Sequence, residues 1–426
     1  MRLTRFSVEN YRAFVDPTSI ELRPLTLFFG YNSAGKSALL RLLPLVASSS
    51  SADQIAPLAL DTPAVRGASF RDLLSRQSSS PSMQLALEWA EDNESLGVRL
   101  DIRDIPERQL QIVERLRIHQ GSSDFDAMWN ASPDSLASRS RSYEIVRPGA
   151  ARETVAIPFQ GLAPTLGSAR TRDAALERAA EALRGLRDRV HWLSSLRTVP
   201  ERVPPFGVPP ARPIFDGANA GDYLAHDAIA DNRLVQSVSE VFERITGHRL
   251  GIKRYALGGE ERYSIVVTSL AGAPPLEIPI VDTGEGMAQL LPVVVLGCLA
   301  QLGRLAPDSI LAVEHPELHL HPAAHAGLAE FFCSLAVREG APISVIETHS
   351  ASFLLRVQIA IARGELPADR VIVHWVRPLD RGSVADAITF DAAARPQGAG
   401  WPPGVFSEDL AQTRELLAIR KAKGFA

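Results

Sequence analysis

Leu3 to Val8 and Ser19 to Leu22 read as two strands leading into a continuous apolar run, Leu25-Thr26-Leu27-Phe28-Phe29. A helix, Ala38-Leu39-Leu40-Arg41-Leu42-Leu43, follows within ten residues. Met83 to Ala90 and Gly97 to Ile102 read as further strands that extend an antiparallel section, and the serine clusters at 48–51 and 78–80 mark exposed loops. From about 103 to 275 the signals mix. Arg172 to Val190 has helical spacing and high charge, with Ala174, Leu176, Ala179, Ala180, Leu183 and Leu186 available for packing. A Pro-rich stretch, 203–210, precedes a second helix from Leu234 to Ile245, and no heptad array is long enough for an extended coiled coil. From about 276 strands and helices alternate: Glu277 to Val281, Ser309 to Glu314, Pro342 to Glu347 and Arg370 to Trp375 are the strands. That alternation predicts a parallel sheet covered by helices on both faces.

The length of 426 residues suggests two or three domains, and 46% hydrophobic content is ample for their cores. A net charge of −4 supplies no global field for nucleic acid. Only two cysteines occur, Cys298 and Cys333, so a disulfide framework and a cysteine metal site are both excluded, as suits a reducing compartment. The start lacks a signal-peptide apolar core, and the longest apolar run, near Leu290 to Ala300, is far short of the roughly 20 residues a bilayer requires. The expectation is a cytoplasmic protein with no membrane partner.

Between the first apolar run and its helix stands Gly30-Tyr31-Asn32-Ser33-Ala34-Gly35-Lys36-Ser37, a complete G-x-x-x-x-G-K-[ST] phosphate loop. Gly30 and Gly35 permit the turn, and the backbone amides of Asn32, Ser33, Ala34, Gly35 and Ala38 border a phosphate at the positive end of a helix. Lys36 reaches the β- and γ-phosphates and the Ser37 hydroxyl sits on Mg²⁺. Far downstream, Ser309-Ile310-Leu311-Ala312-Val313-Glu314 is an apolar strand ending in a carboxylate, a Walker B arrangement that would aim Glu314 at the same ion. Between them, Asp282-Thr283-Gly284-Glu285-Gly286 opens an apolar helix; it reads either as a second anion site or as a simple cap. Glu347-Thr348-His349-Ser350 puts a histidine at a later strand end, within reach of a γ-phosphate or in a purely structural role.

The order of these motifs resembles the ABC-type ATPase heads related to RecF, SMC and OLD proteins. The fold class this implies is α/β: a P-loop ABC-type head with a mixed sheet, split in sequence by an inserted α+β and helical region. Its lobes would be residues 1–102 and 276–426, with 103–275 as the insertion. More narrowly, Glu314-His315-Pro316-Glu317-Leu318-His319-Leu320-His321-Pro322 and Asp282-x-Gly284-x-Gly286-x-x-Gln289-x-Leu291-Pro292 look like the stand-alone AAA-type ATPases of bacterial anti-phage and toxin-like operons. Trp401-Pro402-Pro403-Gly404-Val405-Phe406 is similar to the ending of that subfamily.

The resemblance implies ATP and Mg²⁺ as ligands and a homodimer or higher oligomer closed by an ATP sandwich. In it Gly284, Gly286 and Gln289 of one copy cover the γ-phosphate held by Lys36 and Ser37 of another. His349 matches the switch histidine, and His319, Leu320 and His321 lie where the loop after Walker B crosses the interface; Gln77 is the nearest match to a Gln-loop residue. Two departures bear on mechanism. Ala288 stands where many relatives have serine, and His315 stands where they have a second acid, so hydrolysis is expected to be slow, with His315 or Glu317 as the substitute base.

The leading expectation is an ATPase acting as sensor or scaffold of an anti-phage system and controlling a separate nuclease or toxin in trans, as in PARIS-type arrangements. A RecF-like DNA clamp is the alternative. It would need the arginines Arg170, Arg172, Arg178, Arg184, Arg187 and Arg189, or Arg249, Lys253 and Arg254, as a nucleic-acid surface, although acidic residues interleave with the first group. A non-hydrolysing nucleotide-gated scaffold is the third reading. No Asn-Lys-x-Asp guanine reader is present, which argues against a GTPase.

Overall fold

The computed structural model describes residues 1–92, 94–121, 123–130, 141–146, 152–165, 173–269, 276–398 and 401. Strands β1 (Arg2–Glu9), β2 (Thr18–Glu21) and β3 (Leu25–Gly30) precede helix α1 (Lys36–Ser49). A one-turn helix α2 (Phe70–Leu73) leads to β4 (Ser82–Glu91), β5 (Glu94–Ile105), β6 (Leu110–Gln120), β7 (Ser123–Trp129), β8 (Ser142–Val146) and β9 (Glu153–Ala156). Among the described residues these make an eight-stranded antiparallel sheet in the order β2-β1-β4-β5-β6-β7-β8-β9. In β4 Met83, Leu85, Leu87 and Trp89 are buried on alternate positions, so one face of the sheet is apolar and shares a core with α1.

A short hairpin, β10 (Phe159–Gln160) and β11 (Ala163–Pro164), closes the end of α1, where the Leu162 amide donates to the Ser49 carbonyl at 2.8 Å. Helix α3 (Ala174–Arg189) is capped by Asp173 and buries Leu176, Ala179, Ala180, Leu183 and Leu186; Ala175, not Ala174, completes the stripe. Strand β12 (Val190–Leu193) follows at once. The chain continues through α4 (Ala220–Asp227), α5 (Arg233–Thr246), β13 (His248–Leu257), β14 (Glu260–Ser269) and β15 (Glu277–Pro279). It ends in α6 (Glu285–Gln301), β16 (Ile310–Glu314), α7 (Pro322–Ala336), β17 (Ile343–Glu347), α8 (Ala351–Ala362), β18 (Val371–Pro378), β19 (Ser383–Phe390) and β20 (Pro396–Gln397).

The second sheet runs β12-β16-β17-β3-β18-β19-β20, parallel from β12 to β18 and antiparallel beyond. Strands β12, β16, β17 and β3 are buried along their whole length, as strands covered by two layers must be. Phe28, Ile310, Ala312, Ile343 and Val345 enter the core shared with α1, α3 and the first sheet. The intervening Leu27, Leu311, Val313 and Ile346 enter the core built by α5 to α8. Two expectations are corrected here. Glu277–Pro279 is not part of this sheet but pairs with β14 in a three-stranded antiparallel sheet, because β14 lies close in sequence and offers a local partner. Val190, expected at the end of a helix, begins β12, an edge strand beside β16. Position 102 lies inside β5. No described helix is long and apolar enough to cross a membrane.

Candidate functional site

The phosphate loop is fixed by close approaches that only glycine permits. Gly30 has φ 141°, and a Cβ there would come within 2.0 Å of the Val376 carbonyl oxygen on β18. Gly35 has φ 108°, and its Cβ would meet the Phe14 ring at 2.8 Å. No side chain caps α1, and no acidic residue lies in its first turn, so the positive end of the helix faces the loop. Tyr31, Asn32 and Ser33 are exposed, while Ala34 is buried. Lys36 is 3% exposed and folds back over its own loop, donating to the carbonyls of Gly30 at 3.0 Å and Tyr31 at 2.7 Å. Burial pulls its pKa below the usual lysine value, opposed by the nearby Glu347.

The carboxylate beside the loop is not the one the sequence pointed to. Ser37 Oγ donates to Glu347 Oε1 at 2.7 Å. Strand β17 lies between β16 and β3, so a carboxylate at its end is one strand spacing nearer the loop than Glu314. Glu347 is 2% exposed, its Oε2 has no hydrogen-bond partner, and burial raises its pKa against the pull of His315 and Ser37. Glu314, 1% exposed, is instead gripped by Arg41, whose Nε and Nη2 reach Oε1 and Oε2 at 2.6 and 2.5 Å; Trp192 Nε1 donates to Oε1 at 3.0 Å. Arg41, Trp192 and Glu347 went unread in the sequence; the alternation of a buried strand does not say which terminal carboxylate an arginine will take.

His315 and His349 stack beside Glu347, with ring centroids 5.0 Å apart and planes 11° from parallel. His315 Nε2 lies 3.6 Å from Glu347 Oε1, and its Nδ1 lies 4.0 Å from Glu317 Oε1. Burial, then the charges of Lys36 and His315, pull the His349 pKa down to about 4, so the ring is neutral near pH 7. Glu317 accepts from Thr348 Oγ1 at 2.8 Å and from the His349 amide at 3.0 Å, which makes it the group that orients the switch turn.

The glycine-rich turn divides between exposed and packed residues. Gly284 and Glu285 are exposed at the start of α6. Gln289 is buried and spends both ends of its amide on the Arg197 backbone, accepting from N at 3.2 Å and donating to O at 2.8 Å. Ala288 is buried as well. Gly286 packs on the loop after β16, where an added Cβ would stand 2.6 Å from the His319 carbonyl oxygen. Gly286→Ala is therefore expected to lower stability in urea denaturation by about 1–3 kcal/mol, an overpacking cost. Gly284→Ala adds a methyl to open space and is expected to leave the urea midpoint unchanged. His319 faces Glu285, Nδ1 to Oε2 3.6 Å, and His321 caps α7 by accepting the Ala323 amide.

Gln77 shares a cavity of about 900 Å³ with Arg12, Ser33, Gly35, Arg41 and Arg76 on the outer side of the loop. The arginines weighed as a nucleic-acid surface have protein partners: Arg178 with Glu94, Arg184 with the Pro164 carbonyl, Arg187 with Ser51 and Asp53, and Arg189 with the Met1 carbonyl. Arg249, Lys253 and Arg254 pair with Glu243, Glu277 and Glu261. Arg170 and Arg172 lie outside the described residues, as do 402–406 of the Trp401 motif. The Trp401 ring packs edge-on against Phe390.

Comparison with known families places residues 1–141 in a match to the family described as AAA ATPase domain. Residues 274–356 match the family described as AAA domain, putative AbiEii toxin, Type IV TA system. The search of curated proteins gave no match. Among solved structures, the SMC head bound to the C-winged helix domain of ScpA is similar at 11% identity and TM-score 0.52, covering 92% of this chain and 99% of that one. The SMC head domain from Thermotoga maritima gives 11% identity and TM-score 0.43 over 90% and 98% of the two chains. The Smc head with an extended coiled coil, bound to the C-terminal domain of ScpA derived from Pyrococcus furiosus, gives 10% and 0.44 over 99% of each. Residues 1–141 and 274–356 are thus similar to AAA-type ATPase domains, on a mixed α/β fold like that of the SMC head.

Proposed function

We propose that this chain is a cytoplasmic ATP-dependent switch that binds ATP with Mg²⁺, hydrolyses it slowly, and pairs with a second copy while ATP is bound. The observation that carries the reading is the loop itself: a buried lysine held across its own carbonyls, and Ser37 hydrogen-bonded to a buried carboxylate with a free oxygen. That donor set fits Mg²⁺, a hard cation taking one or two carboxylates and a hydroxyl beside phosphates. Ser37 and Glu347 would hold the ion, which supplies charge neutralisation at the β- and γ-phosphates. The neutral His349 can donate from one ring nitrogen to a γ-phosphate oxygen, and Glu317 fixes its backbone for that task. His315 occupies the place of the water-orienting acid; with a histidine rather than a carboxylate there, we expect slow turnover.

The exposed Gly284 and Glu285 at the positive end of α6 are our candidates for the surface that covers the phosphate of a second copy. Because Gln289 is engaged by Arg197, the cover would rest on backbone amides more than on that side chain. We further propose control of a separate nuclease or toxin in a bacterial defence operon. The family matched by 274–356 has a toxin-system description, and an SMC head of this fold is seen bound to another protein's winged-helix domain. The ion-paired arginines weigh against the DNA-clamp alternative.

The test is ATP turnover and particle mass, with and without ATP, for the wild type and Glu347→Gln. A mass that doubles with ATP, slow wild-type turnover and a Glu347→Gln protein that needs at least ~10-fold more Mg²⁺ for turnover are the expected results. Assembly without turnover would leave the nucleotide-gated scaffold; neither would remove the reading altogether.

A further inference from the structure

We propose that His315, His349 and Glu347 form a binding site for a divalent transition-metal ion of the zinc class, filled by the nucleotide-free protein. The three residues offer ligand atoms that all lie within 4.8 Å of one another. Three such atoms need to close in by only about 0.7 Å each to reach the ~2.1 Å bonds of a zinc-class ion.

Two further observations point to a cation there. Glu347 is almost wholly buried, Ser37 occupies its Oε1, and its Oε2 has no partner, a costly arrangement for a carboxylate unless a positive group completes it. His315 Nε2 already stands 3.6 Å from Glu347 Oε1. The ligands are also tied to one another through the backbone. The His315 amide donates to the Glu347 carbonyl at 2.8 Å, and Glu317 takes the His349 amide while its carboxylate stands 4.0 Å from His315 Nδ1. Carboxylates behind histidine ligands orient the ring and raise its basicity. His315 has φ 40°, a left-handed conformation uncommon in a non-glycine residue, and it is held here where the histidine is brought to the carboxylate.

Imidazole nitrogen discriminates between ions. Mg²⁺ prefers oxygen and keeps its water, whereas Zn²⁺ and Co²⁺ accept histidine readily. The site adjoins the proposed nucleotide site through Glu347 but does not require it, so the inference extends that reading without depending on it.

The test uses the full chain, stripped of metal and nucleotide, titrated with Co²⁺ alone. One ion per chain with the strong visible absorption of four- or five-coordinate cobalt, displaced by Zn²⁺, is expected. His315→Gln and His349→Gln should each weaken binding at least ~10-fold. His315→Cys supplies a thiolate in place of the imidazole and should add a sulfur-to-cobalt charge-transfer band, read in protein whose urea midpoint matches the wild type. Lys36→Ala, which removes a repelling charge and the proposed phosphate contact, should bind cobalt as tightly as the wild type or more so. Cobalt that stays six-coordinate in water, or binds equally well to both glutamine variants, overturns the proposal. ATP binding by the wild type, measured separately, reports on the switch reading, so each can fail alone.

Discussion

Lys36→Ala is expected to lower ATP turnover by at least about 10²–10³-fold, the loss that follows removal of one preorganised charge donor at a developing anion. The reasoning starts from where the ammonium sits. Lys36 is buried, and two loop carbonyls, Gly30 and Tyr31, already hold it over the turn where phosphate oxygens would lie. Such a group pays little to reorganise, so most of its electrostatic attraction is available to the bound triphosphate. Alanine leaves those two carbonyls without their donor but disturbs no packing between helix and sheet, because Leu39, Leu40 and Leu43 carry that role. The variant should therefore keep its urea midpoint within about 1 kcal/mol of the wild type while losing activity. Turnover close to the wild-type value would mean that any hydrolysis observed belongs to another protein in the preparation.

Arg41→Ala is expected to cost about 3–5 kcal/mol of stability, read as a fall in the urea midpoint, because it strands a buried carboxylate. Arg41 is 11% exposed in its side chain and Glu314 1%, and the guanidinium meets both carboxylate oxygens. Trp192 keeps one hydrogen bond to Oε1 after the substitution, but a neutral indole cannot balance a charge. Adding Glu314→Gln to Arg41→Ala should restore part of the loss, since the uncompensated charge is then gone, and the non-additivity measures the pair directly. A loss below about 1 kcal/mol in the single variant would show that water reaches Glu314, which would return it to the place beside the metal that the Walker B pattern suggested.

The parts of this architecture that were legible in the sequence are those with a local signature. The phosphate loop has a fixed spacing and sits between strand and helix, and β16, β17 and β18 are short apolar runs bounded by turns. The helix from Arg233 to Thr246 matches its expected span within a residue, because its apolar stripe is sharp and Gly247 ends it at φ 73°. What was not legible depends on pairing across long distances. Val190 to Leu193 is four residues long and follows a helix without a break, so only its partner β16 reveals it as a strand. Glu347 and Glu314 both end buried strands, and sequence order favoured the one in the familiar motif. In the sheet β17 stands next to the phosphate-loop strand and β16 one place further out, an order that no local pattern announces. Gln289 was read as a contact to a second copy, but nothing local announces that Arg197, ninety-two positions upstream, offers its backbone to both ends of the amide.

The seat of β3 also sets the order in which the molecule can be finished during synthesis. Leu25 pairs with Ser344 on one side and Val371 on the other, so both neighbours of the phosphate-loop strand leave the ribosome more than three hundred residues after it. The first sheet, whose described strands end at Ala156, has all of them available long before that. A growing chain can therefore complete the antiparallel sheet while the strand bearing the nucleotide loop still waits with both edges unpaired. Long-range parallel pairing of this kind is slow and leaves such edges open to wrong partners. The proposed nucleotide site can therefore be complete only in chains whose synthesis has passed β18.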